Sequence, residues 1–297
     1  MDLRQLRHFL SVAEELHFGR AAERLGMTQP PLSQSIQALE GELGVQLFVR
    51  TKRSVALTPV GKEWLAHARA VLDKAAGLPE TARRLSRGEL GSLRLAFVST
   101  ADYSVLPGMV SQFRQSFPHV AVSLREATSD IQIEAVLNEE IDAGMIIAPD
   151  RKALQATLNY RPLLREPLVA AVPEAWIAAR RPGFTAETLR AEAIMAAPLI
   201  LFPRHIAPAF HDIVSGYFAE HGVAFAVHQE AIQMQTIIGL VAAGMGIALV
   251  PQSMTNLRRC GAHYLPLQDS APEIETGLVW RAANSSATLQ RFLEIAS

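Results

Sequence analysis

Residues 20–50 read RAAERLGMTQPPLSQSIQALEGELGVQLFVR, and the order of caps and breakers in this stretch admits few backbones. Ala21, Ala22 and Leu25 share one helical face, at i, i+1 and i+4. Gly26 ends that helix, because glycine tolerates the left-handed dihedrals a helix terminus needs. Thr28 is a good N-cap for the next helix, its hydroxyl able to accept from an orphan N–H. Pro30 and Pro31 fit a first turn in which a missing N–H costs nothing. Leu32, Ile36, Leu39 and Leu43 then recur at spacings of four, three and four residues, a stripe suited to burial. Gln29, Ser33, Gln34 and Gln37 are left on the opposite side. A merely solvated helix face mixes Lys with Glu. This one carries short polar side chains without a full charge; such a face can hydrogen-bond to base edges, and glutamine can pair bidentately with adenine.

The segment resembles the winged helix-turn-helix of LysR-type transcriptional regulators. The matching residues are Ala21, Ala22, Leu25, Thr28, Gln29, Pro30, Pro31, Leu32, Ser33, Ile36, Leu39, Glu40, Leu43, Gly44, Leu47, Phe48 and Arg50. A bare pair of short helices joined at glycine would be a weak signal, since all-α cores contain many; this many matches at fixed spacing is a specific one. The resemblance implies a regulator that binds double-stranded DNA. Gln29, Pro30, Pro31, Ser33, Gln34 and Gln37 would then approach bases and phosphates in the major groove, and Arg50 and Arg53 would anchor the backbone. Many members of the family carry arginine where this chain has Gln34, which points to an altered base preference.

Charge is distributed in keeping with this reading. The chain of 297 residues has a net charge of −1, but residues 1–88 carry 13 Lys+Arg against 9 Asp+Glu, and residues 89–297 carry 15 against 20. The basic excess is N-terminal and densest at Arg50, Lys52 and Arg53, where Val45–Val49 and Ser54–Leu57 can pair as a two-stranded wing. Basic side chains there supply affinity and salt dependence rather than sequence choice. The excess is modest, so tight binding calls for several copies on one DNA, as a homodimer or homotetramer. An apolar content of 49% with 19% charged residues predicts a sizeable folded core. The charged, amphipathic start of the chain argues against a signal peptide. The uncharged stretch from Ala231 to Leu257 contains too many glycines and amides for a membrane span. Cys260 is the sole cysteine, so neither an internal disulfide nor a thiolate cluster can form, as expected in the cytoplasm.

Residues 2–16 and 17–26 read as the two helices before the polar one, Gln29–Leu43. Thr58 and Pro59 then open a long helix in which Trp64, Ala68, Val71, Ala75, Leu78, Ala82 and Leu85 form a heptad seam. Such a seam needs a partner, and in the resembling family this is the linker helix that pairs two subunits. Gly77 and Pro79 predict a kink or break near residues 77–79. Gly88 and Gly91 read as a short hinge.

The chain then repeats its element order. Residues 93–149 and 199–251 each read as strand, helix, strand ending in glutamate (Glu126, Glu230), helix, strand and proline. Alternating units of this size imply parallel α/β lobes. Val169–Val172 reads as a further strand of the second lobe, while Leu265–Leu267 and Ile274–Val279 read as returning the chain to the first. Crossings near Pro162–Arg165 and Pro266–Asp269 make an interlobe hinge. The expected class is α+β multidomain: a winged helix-turn-helix at 1–58, a linker helix at 59–88 and a two-lobed effector-binding domain at 89–297. Lobe I takes 91–162 and 267–297, and lobe II takes 163–266. The resemblance assigns this last domain a layout similar to periplasmic binding proteins.

Ligands of open α/β sheets sit beyond the carboxyl ends of the strands. In lobe I those positions are Ser99, Thr100, Thr128 and Ser129; in lobe II, Phe202, Pro203 and Arg204. Hydroxyls and free N–H groups can hold a carboxylate there, Arg204 can pair with an anion, and Phe202 can cover a ring. Ser99, Thr128 and Ser129 have a commoner use as helix caps. Regulators of aromatic-compound breakdown within the family resemble this chain at Ser99, at Thr128 and in its LFPR stretch, which implies a small organic or aromatic acid as effector. RNA polymerase is a further candidate partner. An enzyme is disfavoured: GMGIAL at 244–249 lacks a third glycine, the histidines show no zinc spacing, and there is no GxSxG. The expected cofactor and metal set is empty.

Overall fold

The structure is a computed structural model that describes residues 1–51, 54–147, 154–184, 187–222, 226–268 and 270–296. It falls into two compact units, Met1–Arg84 and Leu85–Ser297. The first begins with three helices, α1 (Leu3–Glu15), α2 (Phe18–Arg24) and α3 (Gln29–Leu43). A hairpin of β1 (Phe48–Arg50) and β2 (Val55–Leu57) follows, then the long α4 (Pro59–Ser86). Its termini are chemically explicit. Asp2 accepts from the Gln5 N–H while the Gln5 side chain accepts from the Asp2 N–H, a reciprocal capping box. His17 caps α2 through Nδ1, and Gly26 turns the chain at φ +64°. The core gathers Phe9, Val12, Ala21, Leu32, Ile36, Leu39 and Phe48. Trp64 meets Phe9 edge-on, with ring centroids 4.7 Å apart.

Two local expectations need correction. Thr28 stands at the N-cap of α3, but its side chain makes no capping hydrogen bond, leaving Pro30 and Pro31 to set the first turn. The wing strands are shorter than the sequence suggested, because pairing starts only at Phe48 opposite Leu57.

The long α4 runs from Pro59 to Ser86 with Pro79 inside it, so the break expected near residues 77–79 does not form. Pro79 removes the backbone donor that would serve the Ala75 carbonyl, and the surrounding residues 76–83 are exposed. Thr81 Oγ1 donates to the Gly77 carbonyl at 3.2 Å, and Arg83 Nε to the Pro79 carbonyl at 3.3 Å. The heptad seam is divided. Ala68 is buried and Trp64 partly so against the first unit's core, whereas Val71, Leu78 and Leu85 stand exposed.

The second unit contains two lobes. The first comprises β3 (Gly91–Phe97), α5 (Ser99–Asp102), α6 (Leu106–Ser116), β4 (Val120–Glu126), α7 (Ser129–Leu137) and β5 (Ala143–Ile147). Next comes the sixteen-residue β6 (Leu158–Pro173), then α8 (Glu174–Ala178) and α9 (Ala191–Met195). The second lobe continues with β7 (Leu199–Leu201), α10 (Pro208–Glu220), β8 (Val227–Glu230), α11 (Met234–Ala242) and β9 (Ala248–Pro251). A 3-10 turn (Gln252–Leu257), β10 (Ala262–Pro266), β11 (Glu273–Arg281) and α12 (Ala287–Ile295) complete it.

The topology makes the repeat visible. In lobe I, β3 lies between β4 and β5, parallel to both. In lobe II, β7 pairs in parallel with β8 and, through a bridge at Ile247, with the start of β9. The two β4 and β8 strands end at Glu126 and Glu230, as expected. The first crossing is a single continuous strand. The 158–167 half of β6 pairs with β11, and its 168–173 half pairs with β9 and β10. Leu265 therefore belongs to lobe II, and only β11 returns the chain to lobe I. Asp269, expected in the second crossing, lies outside the described residues. Gly88 is not a loose joint: a Cβ there would meet the Ala287 carbonyl oxygen at 2.6 Å, so the residue is packed tightly against α12.

Candidate functional sites

The polar face of α3 forms as the spacing demands. Leu32, Ile36 and Leu39 are fully buried, and this holds Gln29, Pro30, Pro31, Gln34 and Gln37 exposed with Ser33 half-buried. The helix is braced from two sides. His8 Nδ1 contacts Ser35 Oγ at 2.8 Å, and His8 is itself buried, which pushes its pKa below the ordinary histidine value. Neighbouring Arg4 adds to that depression.

Arg50 is the second brace. Its Nη2 meets Glu40 Oε2 at 2.8 Å, its Nη1 donates to Ser33 Oγ at 3.3 Å, and its guanidinium lies 4.8 Å from the centre of the Phe18 ring. The other Glu40 oxygen accepts from the Leu47 and Phe48 N–H groups at 2.9 and 3.0 Å. Glu40 thus ties the polar helix to the hairpin strand. Arg50, expected as a phosphate anchor, has its guanidinium engaged within the domain. The sequence offered a signal for this, since Glu40 and Arg50 both stand among the matched positions, but their ten-residue separation hid the pairing. Arg53, the other expected anchor, and Lys52 lie outside the described residues.

Between the lobes lies a cavity of about 480 Å³, within the range of small-molecule sites. Ser99, Thr100, Thr128, Ser129 and Phe202 all line it. Pro203 and Arg204 do not. Pro203 is buried in the turn, its carbonyl accepting from the Ile206 and Ala207 N–H groups. Arg204 points to solvent in a bidentate pair with Asp212, at 2.8 and 3.1 Å, which holds the Asp212 carboxyl below the usual range. Ser129 Oγ accepts from the Ile147 N–H at 3.1 Å, so it fastens α7 to β5.

Several lining residues escaped the sequence reading: Glu126, Ile131, Ile147, Ile206 and Gln233. Gln233 was findable by symmetry. It is the N-cap of α11, just as Thr128 is the N-cap of α7, and neither side chain makes a capping hydrogen bond. Two nine-residue helices therefore open toward one cavity with uncommitted polar caps. Thr100 is 3% exposed, and its hydroxyl has no hydrogen-bond partner among the described residues. Among the described residues, no group of histidine, cysteine and carboxylate side chains is arranged to hold a metal ion, and no helix is long and apolar enough to cross a membrane.

Comparison with known proteins matches both units. A family described as "Bacterial regulatory helix-turn-helix protein, lysR family" matches residues 3–62, and one described as "LysR substrate binding domain" matches residues 86–297. The chain is similar to the HTH-type transcriptional regulator IlvR of Caulobacter vibrioides, with 55% identity over 295 residues, covering 99% of this chain and 97% of that one. It is also similar to the HTH-type transcriptional regulator AlsR of Bacillus subtilis, with 38% identity covering 100% and 96% of the two chains. Among solved structures, full-length CbnR complexed with its target DNA is similar over 100% of this chain and 98% of that one, at 29% identity and a TM-score of 0.80. The chain belongs to the LysR family of bacterial helix-turn-helix transcriptional regulators, DNA-binding proteins that carry an effector-binding domain.

Proposed function

We propose that this regulator reads its operator with the exposed face of α3 and is switched by a small organic or aromatic acid held between its two lobes. The observation that carries the first half is the helix itself: an uncharged polar face of Gln29, Gln34 and Gln37 fixed outward by a fully buried stripe. What supports the second is the interlobe cavity, with Thr100, Thr128 and Gln233 around it. In this reading residues 1–58 bind DNA, residues 59–88 pair subunits through Val71, Leu78 and Leu85, and residues 89–297 sense the effector. Subunits act in the cytoplasm as a homodimer or homotetramer on half-sites spaced by one helical turn or a multiple, with RNA polymerase as a downstream partner. An effector shifts the arrangement only by binding one state more tightly than the other.

A gel-shift assay on DNA flanking the protein's own gene tests the first half. Retardation that weakens steeply with salt is the expected result. No retardation of any fragment, together with turnover of a small substrate, would overturn it.

A further inference from the structure

We propose that the interlobe cavity selects a zwitterionic aliphatic α-amino acid, a narrower class than organic acids at large; the inference rests on the reading of that cavity as the effector site. The carboxylate end is prepared first. Free N–H groups of the α7 first turn and the Thr128 side chain face the site from one lobe, and Gln233 with the α11 first turn from the other. Thr100, which also lines the cavity, adds a buried hydroxyl with no hydrogen-bond partner among the described residues.

The opposite charge follows from what else lines the cavity. Glu126, at the end of β4, and Asp130, in the first turn of α7, both line it, and neither has an ion-pair partner among the described residues. No Lys, Arg or His lies among the described lining residues. A dicarboxylate would bring a second anion toward two unneutralised carboxylates, whereas an α-ammonium group would neutralise them. The cavity thus offers hydrogen-bond donors from both lobes for one charge, and for the other the carboxylates of Glu126 and Asp130 on one lobe.

The chain of the ligand is set by the isoleucines. Ile131, the third residue of α7, and Ile232, just before the N-cap of α11, are 44% and 63% exposed, and they line the cavity from opposite lobes. With Ile147 and Ile206 they give branched aliphatic walls that a short branched chain would cover.

The test uses the full-length protein and four probes: L-leucine, 4-methyl-2-oxopentanoate, 3-methylbutylamine and benzoate. Calorimetry and thermal shift should show L-leucine binding at least tenfold more tightly than either analogue that lacks one of its charges, and more tightly than benzoate. The Glu126→Gln/Asp130→Asn double variant, altered only at exposed positions, should lose at least tenfold in L-leucine affinity while benzoate affinity does not fall. Equal or tighter binding of the oxo acid or benzoate, abolished by Thr128→Ala, would overturn the zwitterion and leave the cavity as an acid site. No binding by any probe, in protein that still retards DNA, would overturn both.

Discussion

At the scale of single residues, the proposed reading puts specificity and affinity on different side chains. Gln34 is exposed at the centre of the polar face, and its removal should relax base preference by about 1–3 kcal/mol at one operator position with little change in salt dependence. Arg53→Ala should do the reverse, weakening all sequences alike and reducing the salt slope by about one phosphate contact. Competition binding on an operator-variant panel at several salt concentrations checks both. Uniform weakening by both variants would reject the division. His8 gives a pH prediction. Burial holds its folded pKa below 6.5, so the unfolded chain takes up a proton first as pH falls. Stability supplied by this buried neutral imidazole is full above about pH 6.5 and is lost as pH falls through the lower folded value. Urea unfolding across that window should show the loss, and His8→Gln should flatten it.

At the scale of elements, α4 shows how much the surroundings decide. The sequence placed its start at Thr58–Pro59, where Thr58 Oγ1 accepts from the Gly61 N–H at 2.9 Å. It expected a kink or a break at Pro79; the break does not form, and residues 76–83 around the proline are exposed, where a lost backbone bond costs least. Pro79→Ala should therefore stabilise the helix, by up to about 3 kcal/mol, with function retained. Leu78→Lys, placed on the exposed half of the seam, should shift the protein toward monomer in sedimentation velocity; an unchanged mass would place the subunit contact elsewhere. The recognition helix, by contrast, was legible to its bounds. Gln29–Leu43 has its start signal, its stripe and its stop at Gly44, where φ is +71°, in one contiguous stretch.

At the scale of the whole molecule, legibility tracked locality. The duplicated strand-helix order could be read because each unit is written contiguously, and Glu126 and Glu230 mark the same point in both. The interlobe cavity was half legible. Ser99, Thr100, Thr128, Ser129 and Phe202 follow from strand ends, but Arg204 did not join them, since Asp212, one segment later on α10, captures its guanidinium. Ion pairs of this kind are set by helix geometry that strand patterns do not report. Arg204→Ala should accordingly leave effector affinity unchanged, while Thr128→Ala should lower it at least tenfold, as read by calorimetry with the bound acid.

The central claim is that paired copies of α3 read DNA through an uncharged polar face. Footprinting of the full-length protein on the region upstream of its own gene tests this most directly. The account predicts two protected half-sites whose centres lie about 10 base pairs, or a multiple, apart, with the base-specific protection altered by Gln34→Ala. A single unpaired footprint, or a pair unaffected in sequence preference by Gln34→Ala, would contradict it.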